Sequence, residues 1–259
     1  MKMKSLMRPA FVLSCALAVR TAAASDATIW TVGEPDGRPD GFALAPDGFR
    51  DFLARDFGYE DKFYLVGHSD PSTDFPYVLP GPADTWGGTW PTSGWRTHEV
   101  NILFGLDEQP DDDCLLAVDL ADYAKRFPPL VKVSVNGQDA WFRLNDPDDP
   151  TAAGRRYGQQ EPTVDTLSLT GRFERATPRR LEMPLRRGTL RKGGNTVHVT
   201  VLEGSWILFD RVALEGPSSV RPTQSEGLFV RDVAAAPYES DHDLSLIHIS
   251  EPTRPEPIS

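Results

Sequence analysis

Four large aromatic residues, Tyr77, Trp86, Trp90 and Trp95, fall within 19 residues and are interleaved with Gly87, Gly88 and Gly94. A sugar ring has apolar C–H groups on its faces, so tryptophans held on a loop make stacking platforms, and nearby Asp84 and His98 carry polar atoms for the hydroxyls. The same rings would also serve as plugs at the edge of a core, a common use of large aromatics. The proline-rich stretch from His68 to Thr97 that holds them suits no long strand or helix. Loops of that length in compact domains favour function. Tyr77, Asp84, Trp86, Trp90, Trp95 and His98 are therefore the candidate ligand-binding residues.

Other groups offer weaker chemistry. An apolar run leads to Gly67-His68-Ser69-Asp70, similar to the G-x-S-x-G nucleophile elbow. The elbow needs a small residue two positions after the serine and a helix directly behind it. Here Pro71 takes that position, and Pro76, Pro80 and Pro82 argue against the helix. His68, Ser69 and Asp70 are also chain neighbours, which cannot align as a relay. The expected structure is a strand end closed by an Asx or Ser/Thr turn. Two acidic clusters, Asp111-Asp112-Asp113 and Asn145 to Asp149, lack the spacing of a calcium loop and read as solvated turns. If the first and last strands lie side by side, Glu34 and Asp36 would meet Asp210 and offer oxygens to a structural calcium. A buried hydrogen bond from Asp210 is the simpler outcome. No other cofactor and no catalytic residue is expected.

Between Arg155 and Lys192 the chain carries Arg155, Arg156, Arg172, Arg175, Arg179, Arg180, Arg186, Arg187, Arg191 and Lys192. Guanidinium forks fit carboxylates, so a groove for a uronate is one reading and charge compensation on an exposed face is the other. The whole chain has a formal charge of -11. That sign argues against nucleic acid or an anionic membrane as partner.

The elements that must position these groups are short β-rich runs. They are expected at 27–32, 62–67, 98–106, 114–120, 130–135, 139–144, 164–170, 195–202 and 205–214. In NTVHVTVL, Val197, Val199 and Val201 alternate with Thr196, His198 and Thr200, so one face goes to the core. Asn136-Gly137 predicts a type I′ hairpin joining two of the runs. Phe49, Phe52, Leu53 and Phe57 share a helical stripe and predict one short helix packed under the sandwich. Trp30, Trp141 and Trp206 lie inside strand patterns and are assigned to the core. The pattern as a whole predicts an all-β protein, an antiparallel β-sandwich with one short helix.

Residues 1–25 have the basic, apolar and small-residue layout of a secretory signal. Losing it would remove Lys2, Lys4, Arg8 and Arg20 and leave the chain still more acidic. Secretion or export to a periplasm is expected, with a lipoprotein anchored through Cys15 as the alternative. No run is long enough to span a membrane. Without Cys15, Cys114 is the sole thiol; its apolar setting points to an inert buried side chain. Residues 26–217 form the expected domain, 218–243 a linker to a missing downstream domain. The tail at 244–259 contains LIHISEPTRP, which resembles a translated sequencing adapter, so truncation is expected.

TIWTVGEPDG, FYLVGHSDPSTDFPYV, PPLVKVSVNG and LRKGGNTVHVTVLEGSWILFDRVALEGP together resemble the C-terminal jelly-roll domain of family 4 polysaccharide lyases, the rhamnogalacturonan lyases. The similarity spans about Ala27 to Pro217. It implies a jelly-roll, galactose-binding-like fold and a non-catalytic carbohydrate-binding role, the lyase site belonging to another domain in that family. The implied partners are a plant-type or bacterial polysaccharide and a downstream catalytic domain of a lyase or glycoside hydrolase. Alternatives are a structural domain packed on that neighbour, or a lyase in its own right.

Overall fold

The computed structural model describes residues 27–55, 57, 63–87, 97–145 and 167–223. The leader, most of the expected linker and the tail lie outside them, as do Trp90, Trp95, Arg155 and Arg156. The described residues form two facing sheets with very little helix.

Alternating or uniformly apolar runs become strands, where expected except for the short β3 inside the proline-rich stretch: β1 (Ala27–Gly33), β2 (Phe63–Leu65), β3 (Val78–Leu79), β4 (Glu99–Leu106), β5 (Cys114–Tyr123), β6 (Leu130–Val135) and β7 (Gln138–Arg143). They are followed by β8 (Arg179–Leu185), β9 (Gly193–Glu203), β10 (Ile207–Gly216) and β11 (Pro222–Thr223). The first sheet has the order β1-β10-β5-β8, with β3 also on β10. The second runs β11-β4-β9-β6-β7, with β2 parallel on β4. First and last long strands are neighbours, Val32 opposite Val212. Their inner faces meet in one core, for example Trp30 against Phe104 with ring centroids 5.0 Å apart.

The Asn136-Gly137 hairpin forms as expected between β6 and β7. Asn136 at φ 50° and Gly137 at φ 86° supply the two positive angles of a type I′ turn. Asn136 also donates to the Thr189 carbonyl at 2.9 Å and accepts from the Thr196 N–H at 3.0 Å, fixing the turn to β9.

Several expectations are corrected. The helix over 48–57 reduces to a 3-10 turn at Gly48–Asp51. Hydrogen bonds then widen, from Phe52 N to Phe49 O, Arg55 N to Asp51 O and Phe57 N to Phe52 O, so no regular ladder propagates. Its phenylalanines are nevertheless buried. The α-helical turn is instead α1 (Pro71–Asp74), where Pro71 suits the first helical position and Asp70 accepts from Ser72 N at 2.9 Å. Within 164–170, Ser168–Thr170 form a 3-10 turn rather than a strand. Ser168 and Leu169 are both buried, which a half-exposed strand would not allow. Strand β8 was not anticipated, although Leu181, Met183 and Leu185 alternate inward. Its Pro184 is tolerated because β8 is an edge strand. The sandwich also continues past Pro217: Val220 is buried, and Pro222 and Thr223 pair with Leu106 and Gly105.

Candidate functional site

The aromatic loop is built largely from the inside. Tyr77 is fully buried and its hydroxyl donates to the Leu169 carbonyl at 2.8 Å. Burial pushes that phenol well above its ordinary range. Asp84, also buried, accepts the Gly81 N–H at 2.8 Å and the Ser205 hydroxyl, tying the loop to the turn before β10. His98 is 2% exposed, with Nε2 against the Gly87 carbonyl and its ring 5.4 Å from that of Phe52. Trp86 is half-buried and stands edge-on to Phe49 at 5.0 Å. Tyr77, Asp84 and His98 are thus buried, and their polar atoms bond within the fold. Trp90 and Trp95 lie outside the described residues.

The other sequence candidates are structural as well. Ser69 Oγ accepts the Leu65 N–H at 2.9 Å, closing the strand end as a Ser/Thr turn. One carboxylate oxygen of Asp210 accepts from Gly37 N at 2.9 Å and Arg38 N at 3.2 Å, the hydrogen-bonded outcome. Both donors go to the same oxygen, and burial raises the Asp210 pKa. Glu34 makes no third ligand: among the described residues no cluster of three or more His, Cys, Asp or Glu could hold a metal. Arg180 pairs with Asp119, Glu182 and Glu215, and Arg211 with Asp119. These arginines compensate charge across the first sheet.

The outer face of the second sheet carries an exposed Trp141 and half-exposed Lys132, Asp139, His198 and Glu99, while Asn101, Ser134 and Thr200 on the same face are buried. Trp141, assigned to the core by its strand pattern, is 58% exposed. Pairing decides this: Phe142 lies opposite buried Val131 and turns inward, so Trp141, opposite half-exposed Lys132, turns out. Parity along β7 held the signal, since Trp141 alternates with Ala140 and Phe142, which pack on the core, and shares its face with charged Asp139 and Arg143.

Register arranges this face in rows across the strands. One row is Trp141, Lys132, Thr200 and Glu99; the next is Asp139, Ser134, His198 and Asn101. The rows are cross-braced. His198 Nδ1 lies 3.0 Å from Glu99 Oε1 and 2.6 Å from Asn101 Oδ1. Both partners accept, so this nitrogen carries the proton. Thr200 donates to the other Glu99 oxygen at 3.1 Å. Lys132 pairs with Asp139 at 3.1 Å, and Arg143 with Glu203 at 2.6 Å. The hydrogen bond from His198 holds the Glu99 carboxyl below its usual range although burial opposes it. Hydrogen bonds from Ser134 and Lys132 do the same for Asp139. Beyond Glu99 a shallow depression is lined by Tyr64, Asp74, Phe75, Pro76, Asn101 and others. There burial, helped by Asp74 and Asp70, raises the Tyr64 phenol to about 12. An exposed indole beside half-exposed Lys132, Asp139, His198 and Glu99, which buried Asn101, Ser134 and Thr200 brace, suits stacking on a ring and hydrogen bonding to hydroxyls.

The family model described as "CBM-like: Polysaccharide lyase family 4, domain III" matches residues 28–214. The chain belongs to this family. The matched region runs from β1 into β10, so the CBM-like domain is the two-sheet sandwich itself. No curated protein matches the sequence. Among solved structures, a family 35 carbohydrate binding module from an environmental isolate is similar at 8% identity and TM-score 0.31, over 49% of this chain and 72% of that one. The CBM35 from Cellvibrio japonicus Abf62 gives 15% identity and TM-score 0.27, over 50% and 72%. A ruminal GH26 endo-β-1,4-mannanase gives 15% and 0.28, over 56% of this chain and 27% of that one. Among the described residues no helix is long and apolar enough to cross a membrane.

Proposed function

We propose that this CBM-like domain binds a polysaccharide on the outer face of its second sheet, as a non-catalytic accessory module of a secreted glycan-degrading enzyme. The observation that carries the reading is Trp141, a large aromatic left 58% exposed on a regular strand among braced polar side chains. An exposed indole on a regular strand costs little order on binding, because its backbone is already paired with β6 in the hairpin. Membership in a CBM-like family named for a lyase domain supports the accessory role. The leader-like N-terminus supports export. The catalytic partner is a separate domain of the same polypeptide.

Affinity electrophoresis of the full chain through gels containing soluble neutral and acidic polysaccharides tests the proposal. Retardation by at least one polysaccharide, abolished in Trp141→Ala and kept in a Trp90→Ala/Trp95→Ala double variant, is the expected result. No retardation by any polysaccharide would overturn the binding role. Loss only in the double variant would move the site to the aromatic loop.

A further inference from the structure

Resting on that reading, we infer that the face takes an uncharged glycan chain lying across the strands, about four rings long, from Trp141 at one end to Glu99 at the other. The charge of the face selects against an acidic ligand. Its lysine and arginine are already matched: Lys132 by Asp139 at 3.1 Å and Arg143 by Glu203 at 2.6 Å. A uronate would therefore have to displace a carboxylate from either cation, while facing Glu99, Asp139 and Glu203. Neutral hydroxyls meet no such opposition. They can donate to Glu99, whose two oxygens retain lone pairs after accepting from His198 and Thr200.

Register sets the direction and the length. Trp141, Lys132, Thr200 and Glu99 occupy one row on four adjacent strands, β7, β6, β9 and β4. Three interstrand gaps separate the ends, about 14 Å at ~4.8 Å each. A linked pyranose advances its chain by about one such gap, so roughly four rings reach from the indole to the carboxylate. The neighbouring row of Asp139, Ser134, His198 and Asn101 borders this path on one side. On the other side lie Leu130 and Leu202, the latter 36% exposed. The Arg143–Glu203 ion pair stands on that side too, opposite Leu130, so both edges of the path carry polar groups. At its far end the path meets the small depression beside Tyr64 and Asp74.

The test is calorimetric titration of the full chain with neutral oligosaccharides, disaccharide to hexasaccharide, cut from the polysaccharide that retards it most, and with oligogalacturonates as the acidic probe. Affinity is expected to rise about fivefold per added ring up to roughly four and then level off. Binding should change little with added salt, and oligogalacturonates should bind more weakly. Glu99→Ala should weaken the tetrasaccharide about fivefold and leave the disaccharide unchanged. Its melting curve, and Glu99→Gln alongside it, separates this loss from misfolding. A disaccharide binding as tightly as a hexasaccharide, salt-sensitive preference for oligogalacturonates, or equal losses for short and long ligands in both folded Glu99 variants would overturn the inference. Trp141→Ala abolishing binding at every length in any of these cases would leave the sheet-face reading standing. Wild-type binding by Trp141→Ala would refute that reading itself.

Discussion

Replacing Trp141 by alanine separates binding from folding unusually cleanly. The ring is 58% exposed and touches the core with little of its surface. A large aromatic buries about 150–250 Å² when fully covered, so a sugar on one face of the exposed part would cover about 60–100 Å². At ~25 cal/mol per Å² that is about 1.5–2.5 kcal/mol of binding, or roughly a tenfold to seventyfold rise in Kd. The fold should lose no more than about 0.5 kcal/mol, as for other surface changes on a strand. Calorimetric titration with the best-binding soluble polysaccharide reads the first quantity, and urea unfolding followed by circular dichroism reads the second. Trp141→Phe, with a smaller ring on the same strand face, should fall between wild type and alanine. Unchanged affinity in a folded Trp141→Ala variant would refute the reasoning, because no other exposed surface was credited with the stacking energy.

Asp122, 3% exposed in its side chain, holds Lys125 at 2.7 Å, the Thr177 N–H at 2.9 Å and the Ser168 hydroxyl. Asp122→Ala should cost about 2–4 kcal/mol in denaturant unfolding and speed hydrogen exchange over 167–177 more than elsewhere. Glu99 has a folded pKa below its ordinary value of 4.5, so its contribution to stability is complete above that value and is lost as pH falls through the lowered one. Wild type and Glu99→Gln should therefore differ in stability at neutral pH and converge in acid; a gap that widens in acid would contradict the His198 and Thr200 hydrogen bonds. Cys114 is 5% exposed, and burial pushes its thiol up to about 11. Mass spectrometry after treatment with a thiol reagent at pH 8 should find Cys114 unmodified in the folded chain and modified in urea.

Much of the architecture is written in local patterns. Period two in NTVHVTVL produced β9 with Val197, Val199 and Val201 fully buried, because a strand has no other way to bury every second residue. Two positive φ angles are cheap at Asn136-Gly137, so the hairpin was readable from two letters. Parity was as informative in RRLEMPL and in DAWFRL, but arginine and proline masked the first and adjacent bulky rings the second. Trp141 and Phe142 cannot share a face, and alternation alone does not name the one that faces water. Strand pairing does, by setting Phe142 opposite Val131.

Tertiary structure alone decided the rest. The buried fates of Tyr77, Asp84 and His98 depend on Leu169, Ser205 and Gly87, and two of those three partners are remote in the chain. A polar side chain on a loop is free or spent according to which distant backbone comes to meet it. Likewise Glu99, Lys132, Trp141 and Thr200 are scattered over about 100 residues and carry no motif. They form one row because hydrogen-bond register brings strands remote in sequence side by side at ~4.8 Å, a distance that composition cannot encode.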